Sequence, residues 1–460
     1  MIKSIKSNRF PKQLAVKNIF SRYHSTMAAA QHCTKPHVCF IVPPHLLLDI
    51  LEHDQVSEDT RVAVQNTINH CGKLKTQRIH KQAQLRGHGP GAEGQSIIPG
   101  YVFQEIAESE DTSQEQKQRA HHNLKISQQV HGERSDTDQG AKAPTTTEHV
   151  IRKIYDSHKT NKLRQKLLYT EGNDLSTLKA NESALEVIDF FGKTYQFYAE
   201  VFGRHSVDND NLALIGNLHY DDIPGPPGMD NAFWNGNEMA FGDGDGEIFG
   251  SFTKNIDVIG HELTHGVTQF TANLEYEFQS GALNESMSDV FGSMIKQYFY
   301  PGGKQLATDA DWLIGEGIFL PSITGATALR SMKAPGTAYN NPKIGKDRQP
   351  ADMDGYVKMR NTEAGDNGGV HINSGIPNRA FYLASVGFGG YSWEKAGKVW
   401  YAALTDDKLQ GIDSSTAFTV FADLTTQHAK DLYDAEGEAV VKKAWTDVKV
   451  YEAAPGKGDL

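Results

Sequence analysis

Two histidines separated by three residues constrain this chain more than any other feature of its sequence. They begin and end the run His261-Glu-Leu-Thr-His265. Apolar residues at helical spacing predict a mostly buried helix around this run. They are Val258, Ile259, Leu263, Val267 and Phe270. Because positions four apart share a helix face, both imidazoles can reach one metal ion. A helix with two ordinary histidines is the alternative for an isolated match.

Glu262, between the two histidines, can accept a proton from a metal-bound water. A second segment, Asn284-Glu-Ser-Met-Ser-Asp289, offers a third ligand in Glu285. Two histidines and one carboxylate are a ligand set of catalytic zinc, with one position left for water. Asp289 shares a helix face with Glu285 and can fix the tautomer of a ligand histidine. A solvated acidic face is the alternative for this pair.

A third segment, Asp366-Asn-Gly-Gly-Val-His-Ile-Asn-Ser-Gly375, places His371 in a glycine-rich turn before a helix that has Pro377 near its start. Asp366 can keep His371 protonated and oriented. A cationic imidazole beside the metal would stabilise the oxyanion that forms when water adds to a carbonyl. Taken alone, a histidine in such a loop has a structural role more often.

Composition excludes several other functions. The 460 residues carry a net charge of -11, which argues against nucleic acid as the main partner. No apolar run is long enough to predict a membrane span. The three cysteines, Cys33, Cys39 and Cys71, all precede residue 100. A metal in the later part must therefore use histidine and carboxylate, and a thiol nucleophile is excluded there. The Gly-x-Ser-x-Gly motif of serine hydrolases does not occur.

Residues 1–38 contain several lysines and arginines and no acidic residue. This composition is typical of an organelle presequence rather than of a secretory signal. A disordered basic leader, or translation from Met27, is the alternative. We therefore expect a mitochondrial or cytosolic location, with secretion as the other possibility.

Two stretches, 39–70 and 96–126, resemble each other, each with a short apolar strand, a proline and an amphipathic helix. The proline removes a donor, so the strand must be an edge or a docked extended segment. A chance resemblance is the alternative. Between them, Gly87 to Gly94 has the glycine spacing of a dinucleotide loop, but no strand precedes it and it predicts a linker. The polar stretch 128–147 predicts a boundary that a protease can cut.

From residue 148 onward, short β-like runs precede mostly helical patterns, which predicts an α+β fold with two lobes. Several motifs resemble the thermolysin family of metallopeptidases over about residues 145–455. They are Asn231–Gly236, Asp257–His265, Ser280–Glu285, Leu329–Met332 and Gly369–Gly375. The resemblance implies a β-rich N-terminal lobe at 141–268, which ends in the metal helix, and a helical lobe at 269–460.

The resemblance also implies the roles of individual residues. His261, His265 and Glu285 would bind zinc, with Asp289 and Asp366 as orienting partners. Glu262 would be the general base and then the proton donor, and Tyr276 and His371 would stabilise the oxyanion. Asn231 and the Ala232 carbonyl would hold the substrate backbone, and Arg330 would bind the carbonyl after the cut. An apolar pocket there would consist of Phe249, Phe252, Val258 and Leu329, and implies cleavage before large apolar residues.

The stretch Ile41–Leu47 resembles the precursor motif of the protealysin-like branch of the family. This implies that residues 39–140 are a pro-segment that covers the cleft until a cut near Gly140–Ala141. The family's double calcium site has acids where this chain has Lys296 and Leu313, so we expect weak or no dependence on calcium. A catalytically silent relative that binds peptides is the alternative function.

Overall fold

The computed structural model describes residues 41–53, 56–68, 149–221, 229–362 and 365–452. The basic leader, the second proline-containing unit at 96–126, the glycine-rich linker and the predicted cut near Gly140–Ala141 lie outside these residues. Within the described part, no helix combines the length and the apolar character that a membrane crossing requires.

A five-stranded sheet forms most of the first lobe. Its strands are β1 (Arg152–Thr160), β2 (Lys166–Thr170), β3 (Leu214–Tyr220), β4 (Ala232–Trp234) and β5 (Met239–Phe241), in the order β2-β1-β3-β5-β4. The strand β3 pairs in parallel with both β1 and β5, whereas β2 and β4 are antiparallel edge strands. Because β4 is an edge, its free side can accept an extended peptide.

A long helix, α2 (Glu182–Phe202), packs against this sheet. The Asn181 side chain accepts a hydrogen bond from the Ala184 amide and caps the first turn. The helix ends at Gly203, whose φ of 65° is the left-handed conformation that glycine adopts without a Cβ clash.

Two buried helices, α3 (Ile256–Gln269) and α4 (Phe278–Tyr298), lie side by side between the lobes. Glycine allows their close approach: a Cβ on Gly292 would lie 2.5 Å from the Asp257 carbonyl oxygen. The expected burial of α3 is confirmed up to Val267. It is wrong for Phe270, which is 46% exposed because the helix ends one residue earlier.

The second lobe is helical, as the sequence predicts. Its helices are α5 (Asp366–Asn373), α6 (Gly375–Phe388), α7 (Ala396–Leu404) and α8 (Ala417–Asp447). Two short antiparallel pairs precede them: β6 (Leu313–Ile314) with β7 (Arg330–Ser331), and β8 (Asn340–Asn341) with β9 (Gly345–Lys346). The α+β class, with a β-rich lobe followed by a helical lobe, is confirmed.

The first proline-containing unit packs onto both lobes. Its helix, α1 (Pro44–Glu52), begins with a proline, and Leu46, Leu47 and Ile50 are fully buried. A second helical stretch covers 58–68. Of the short segment before the proline, the structure describes Ile41 and Val42, which are docked by side chains and pair with no strand in the described structure.

Candidate active site

Three buried side chains converge between α3 and α4. His261 and His265 lie one turn apart on α3, and Glu285 lies on α4 opposite them. The two Nε2 atoms are 3.0 Å apart, and each lies 3.6 Å from a Glu285 oxygen. Ligands of a tetrahedral zinc at about 2.1 Å would be about 3.4 Å apart. The three groups therefore have the chemistry and the spacing that such an ion requires.

Each imidazole is oriented through its other nitrogen. His261 Nδ1 lies 2.8 Å from Asp289 Oδ1, and His265 Nδ1 lies 2.9 Å from Asn284 Oδ1. Because both acceptors face Nδ1, they favour the tautomer that leaves Nε2 able to ligate a metal. The charges of His371, His265 and His261 outweigh the opposing effect of burial and lower the pKa of Glu285 to about 2. Glu285 is therefore a carboxylate at neutral pH.

Glu262 lies on α3 between the two histidines, but its hydrogen bonds differ from those of the three predicted ligands. Its Oε2 accepts a hydrogen bond of 2.9 Å from the Trp234 amide of β4. Its Oε1 is buried and has no hydrogen-bond partner in the described structure. An unsatisfied carboxylate oxygen beside the three convergent groups is suited to a metal-bound water. Burial and the charge of Glu285 raise the pKa of Glu262 well above its usual value.

His371 and Tyr276 lie on the other side of Glu285. His371 Nε2 is 3.2 Å from the Tyr276 hydroxyl, which donates to Glu285 Oε1. Asp366 accepts hydrogen bonds from the His371 amide, at 2.9 Å, and from its Nδ1, at 2.6 Å. Burial opposes a charge on His371, but the charges of Glu285 and Asp366 prevail and raise its pKa to about 9. The imidazole is therefore a cation at neutral pH.

The local backbone explains why His371 can reach this place. Asp366 and Asn367 adopt φ near 50°, and Gly368 and Gly369 adopt φ of 91° and 84°. This left-handed turn reverses the chain, so that both oxygens of Asp366 face His371. A Cβ on Gly368 would lie 2.5 Å from the Phe278 ring. The glycines in the motif are therefore required by the turn and by its contact with α4.

Asn231 and Arg330 hold the backbone of the first proline-containing unit. Asn231 Oδ1 accepts from the Val42 amide at 3.1 Å, and its Nδ2 donates to the Val42 carbonyl at 3.4 Å. Arg330 Nη1 donates to the Ile41 carbonyl at 3.1 Å. The amide of Ile41 faces the Glu262 carboxylate, where it opposes the rise in that group's pKa. Backbone of the first proline-containing unit thus lies beside Glu262, next to the metal-ligand group.

The side chains predicted to form an apolar pocket are all buried within one cluster that also contains Ile41 and Val42. They are Phe249, Phe252, Val258 and Leu329. The rings of Phe249 and Phe252 lie 5.9 Å apart. Ala232 is buried at the start of the edge strand β4. The structure therefore links the predicted metal ligands to Tyr276, His371 and Asp289 by direct contacts, and it shows the four apolar side chains buried.

Three polar side chains of the site were missed from the sequence. Asn284 orients His265, Asn378 donates to Asp289 Oδ2 at 2.8 Å, and Gln349 donates to the His371 carbonyl at 2.8 Å. Asn284 directly precedes the predicted ligand Glu285, so its position in the sequence could have indicated a role in the site. The other two come from distant segments and carry no local pattern.

A buried two-histidine, one-glutamate group with a glutamate beside it is the site of a metal-dependent hydrolase. Comparisons with known proteins agree. Residues 112–269 match the family model described as "Thermolysin metallopeptidase, catalytic domain", and residues 272–450 match its alpha-helical domain. This chain belongs to the thermolysin family and is a zinc metalloendopeptidase.

Two relatives match this chain over most of their own length. Protease PrtS of Photorhabdus sp. (strain Az29) is 42% identical over 77% of this chain and 91% of that protein. An extracellular metalloprotease of Pectobacterium carotovorum is 46% identical over 65% of this chain and 81% of that protein. Among solved structures, the precursor of protealysin from Serratia proteamaculans is 44% identical with a TM-score of 0.61, over 78% of this chain and all of that one.

Proposed function

We propose that this chain is the self-inhibited precursor of an endopeptidase that cuts peptide bonds on the N-terminal side of large apolar residues. One observation carries the proposal: Asn231 and Arg330 form hydrogen bonds with the backbone of Ile41 and Val42 beside Glu262. Side chains that form hydrogen bonds with backbone N–H and C=O groups can bind peptides of any sequence. The segment therefore occupies the place of a substrate.

His261, His265 and Glu285 would hold the zinc ion, which would supply Lewis-acid polarisation and an acidified water. Glu262 would accept a proton from the attacking water and return it to the leaving nitrogen. A carboxyl group whose pKa is raised above its usual value is better suited to both transfers than an ordinary one. The Trp234 amide fixes its orientation through the hydrogen bond to Oε2.

Tyr276 and His371 would stabilise the negative charge that develops on the carbonyl oxygen. A hydroxyl and an imidazolium fixed before the reaction require no reorganisation during it. Asp366 keeps the imidazole in place and charged. Because the raised pKa of His371 is about 9, this contribution is present at neutral pH and is lost as the pH rises through 9.

The preference for apolar residues follows from the chemistry of the pocket. None of its four side chains is charged or polar, and each is at most 2% exposed. They are Phe249, Phe252, Val258 and Leu329. Burial of an apolar side chain there gains about 25 cal/mol per Å². Burial of an unpaired charge in the same place would cost several kcal/mol. Peptides with charged residues after the cut should therefore be poor substrates.

Inhibition follows from additional contacts of the pro-segment. Asp49 forms an ion pair with Arg348, and the Thr60 hydroxyl donates to Glu247 Oε2 at 2.7 Å. The Asp230 amide donates to Thr67 Oγ1 at 3.3 Å. These contacts involve Asp230 and Glu247 of the first lobe and Arg348 of the second, so the segment must leave both lobes before a substrate can enter.

We also propose that Lys296 replaces a calcium ion. Its ammonium lies 2.9 Å from Asp311 Oδ2, 3.3 Å from Glu316 Oε2 and 3.4 Å from the Leu313 carbonyl. Burial opposes the charge on Lys296, but nearby Asp257 and Asp311 prevail and raise its pKa. A permanent cation therefore occupies a cluster of oxygens that would otherwise attract a divalent ion.

The test compares the full chain with the protein from which residues 1–140 have been removed by limited proteolysis. Each is mixed with zinc and a quenched peptide that has Leu after the expected cut, and then with one that has Asp there. We expect cleavage of the Leu peptide only after removal. Equal activity of the two forms would refute self-inhibition. Inactivity of both forms, with zinc bound, would favour the silent peptide-binding alternative.

A further inference from the structure

We propose that Lys296 is a positioning residue for the peptide-binding subsite on the C-terminal side of the cut. Its ammonium group fixes the segment 311–316, and this segment fixes the two residues Leu329 and Arg330. The inference rests on the proposed function, which places these two residues against the substrate. It goes beyond the replacement of a calcium ion, because it gives the cation a measurable part in substrate binding.

Lys296 lies in the last turn of α4 and binds the segment 311–316 at several points. Its Nζ lies 3.1 and 2.9 Å from the two carboxylate oxygens of Asp311. The same atom lies 3.4 Å from the Leu313 carbonyl oxygen and 3.3 Å from Glu316 Oε2. The side chain of Lys296 is only 16% exposed, so water competes weakly for these bonds. One cation therefore holds this part of the chain together.

A buried carboxylate of α3 binds the same segment. Asp257 is 1% exposed, and its Oδ2 accepts a hydrogen bond of 2.9 Å from the Gly315 amide. Its Oδ1 accepts from the amide of Val258, a residue of the predicted pocket, at 3.0 Å. The charge of Lys296 opposes the cost of burying this carboxylate. Loss of the cation would therefore weaken the attachment of the segment to α3 as well as to α4.

Strand pairing transmits the position of the segment to the peptide-binding residues. The segment contains β6, and Ile314 of β6 lies opposite Arg330 of β7 in the antiparallel register. The Leu329 amide donates to the Ile314 carbonyl at 2.9 Å. The Met332 amide donates to the Trp312 carbonyl, also at 2.9 Å. Because these bonds flank Arg330 in the chain, a shift of β6 would displace the backbone that carries its guanidinium group.

Direct packing also couples the segment to the predicted pocket. Gly315 adopts a φ of 67°, and a Cβ added to it would lie 2.9 Å from Leu329 Cδ1. The backbone of the segment therefore lies directly against the Leu329 side chain. Asp289 fixes the guanidinium group of Arg330 without help from Lys296. We therefore expect loss of the Lys296 charge to weaken peptide binding without abolishing it.

The expected effect is on substrate binding rather than on the chemical step. The hydrogen bonds of Lys296 in the described structure do not include the predicted zinc ligands. Loss of binding that is equal in the ground state and the transition state raises KM and leaves kcat unchanged. Lys296→Met should raise KM for the Leu peptide by about two- to thirtyfold, the range typical of coupling through a packed network. The preference for Leu over Ala after the cut should fall, because Leu329 is held less firmly.

The experiment begins with the full chain. Hydrogen exchange of Lys296→Met should be faster than that of the natural chain at the amides of Gly315, Leu329 and Met332. Limited proteolysis then removes residues 1–140, and KM and kcat are measured for peptides with Leu or Ala after the expected cut. Competition with a chelator measures zinc affinity, which should not change. Unchanged exchange, an unchanged KM, or a fall in zinc affinity would each overturn the inference.

Two variants separate positioning from a general loss of stability. Lys296→Arg keeps a cation at this place and should retain the KM of the natural protein. Val441→Ala removes buried side-chain volume from α8, outside the segment, so it should lower the melting temperature and leave KM unchanged. If Lys296→Arg behaved like Lys296→Met, or if Val441→Ala raised KM equally, the positioning role would be wrong.

Peptide binding distinguishes failure of this inference from failure of the proposed function. A peptide of residues 41–70 carries Ile41, whose carbonyl contacts Arg330. Its affinity is measured on the Glu262→Gln protein without residues 1–140, with and without Lys296→Met. Weaker binding with Lys296→Met supports positioning even if the natural protein hydrolyses no peptide, in which case the endopeptidase function alone fails. Equal binding, together with hydrolysis of the Leu peptide by the natural protein, would leave that function standing and refute positioning.

Discussion

Arg330 and Asp289 form a bidentate ion pair beside the cleft. The Nε and Nη2 atoms of Arg330 donate to the two Asp289 oxygens, each at 2.8 Å, and both side chains are almost completely buried. Asp289 also accepts from His261, while Arg330 also holds the Ile41 carbonyl. Asp289 orients the predicted metal ligand His261, and Arg330 binds the peptide backbone. The ion pair therefore connects the metal-ligand group to the peptide-binding residue.

Substitution Arg330→Met should destabilise the protein strongly. It leaves Asp289 buried with His261 and Asn378 as its remaining side-chain partners among the described residues, and removal of one member of a buried pair costs about 3–5 kcal/mol. Denaturant unfolding of the Glu262→Gln precursor, with and without the change, measures this loss. Lys443→Met, which removes an exposed ion pair with Asp447, should cost at most about 1 kcal/mol. Equal losses would contradict the role of burial.

Substitution Asp289→Asn should weaken zinc binding by about 10- to 100-fold, because the carboxylate that orients His261 is lost. Competition with a chelator of known affinity measures the change directly and does not depend on activity. The control is Asp406→Asn, since Asp406 contacts His428 at 3.0 Å outside the cleft. Unchanged zinc affinity in Asp289→Asn would show that the orienting contact is dispensable.

Docking of the pro-segment should weaken in acid because of His45. This residue of α1 is 6% exposed, and its Nδ1 has no hydrogen-bond partner in the described structure. Burial lowers the pKa of His45 from 6.5 to about 4. Asp366 favours the charged form, but His371, Arg348 and Arg330 also face the imidazole and oppose it.

The sign follows from the two protonation states. A free segment binds a proton below about pH 6.5, whereas the docked segment resists it until about pH 4, so acid favours release. Docking is therefore at full strength above pH 6.5, and it should be roughly thirtyfold weaker at pH 5. A peptide of residues 41–70 should lose inhibitory power by this factor, measured on the enzyme without residues 1–140.

The matched control for this measurement is the same peptide with His45→Leu. The ratio of the two inhibition constants cancels any effect of pH on the enzyme and on shared groups such as Asp49. We expect this ratio to change by the full factor between pH 8 and pH 5. A ratio that does not vary with pH would exclude His45 as the titrating group.

Substitution Lys296→Glu should create a calcium dependence, whereas our proposal gives the natural chain little or none. The new carboxylate would join Asp311, Glu316 and the Leu313 carbonyl, all oxygen ligands of the kind that calcium prefers. The melting temperature of this variant should rise when calcium is added, by the linkage between binding and folding. The natural chain, and a Lys296→Met variant, should show little change. A calcium-dependent shift in the natural chain would contradict the proposed replacement.

Local patterns predicted much of this protein. The four-residue spacing of His261 and His265 required only a helix, and the apolar periodicity around them indicated one. The α+β class followed in the same way, from short β-like runs before helical ones. The exposure of Phe270 was missed because periodicity does not show where a helix ends.

Contacts between distant segments depended on the tertiary structure. Asp289 meets Arg330 and Asn378 because α4, β7 and α6 pack around one point, and no local pattern encodes that meeting. The same holds for Ile41, which contacts Arg330 from 289 residues away, and for Val42, which contacts Asn231 from 189 residues away. The sequence by itself determined which chemical groups are available and on which helix faces they lie, because side-chain direction repeats with the local backbone. Only the packed fold decided which of these groups face each other, because burial of apolar surface sets the positions of the helices and strands that carry them.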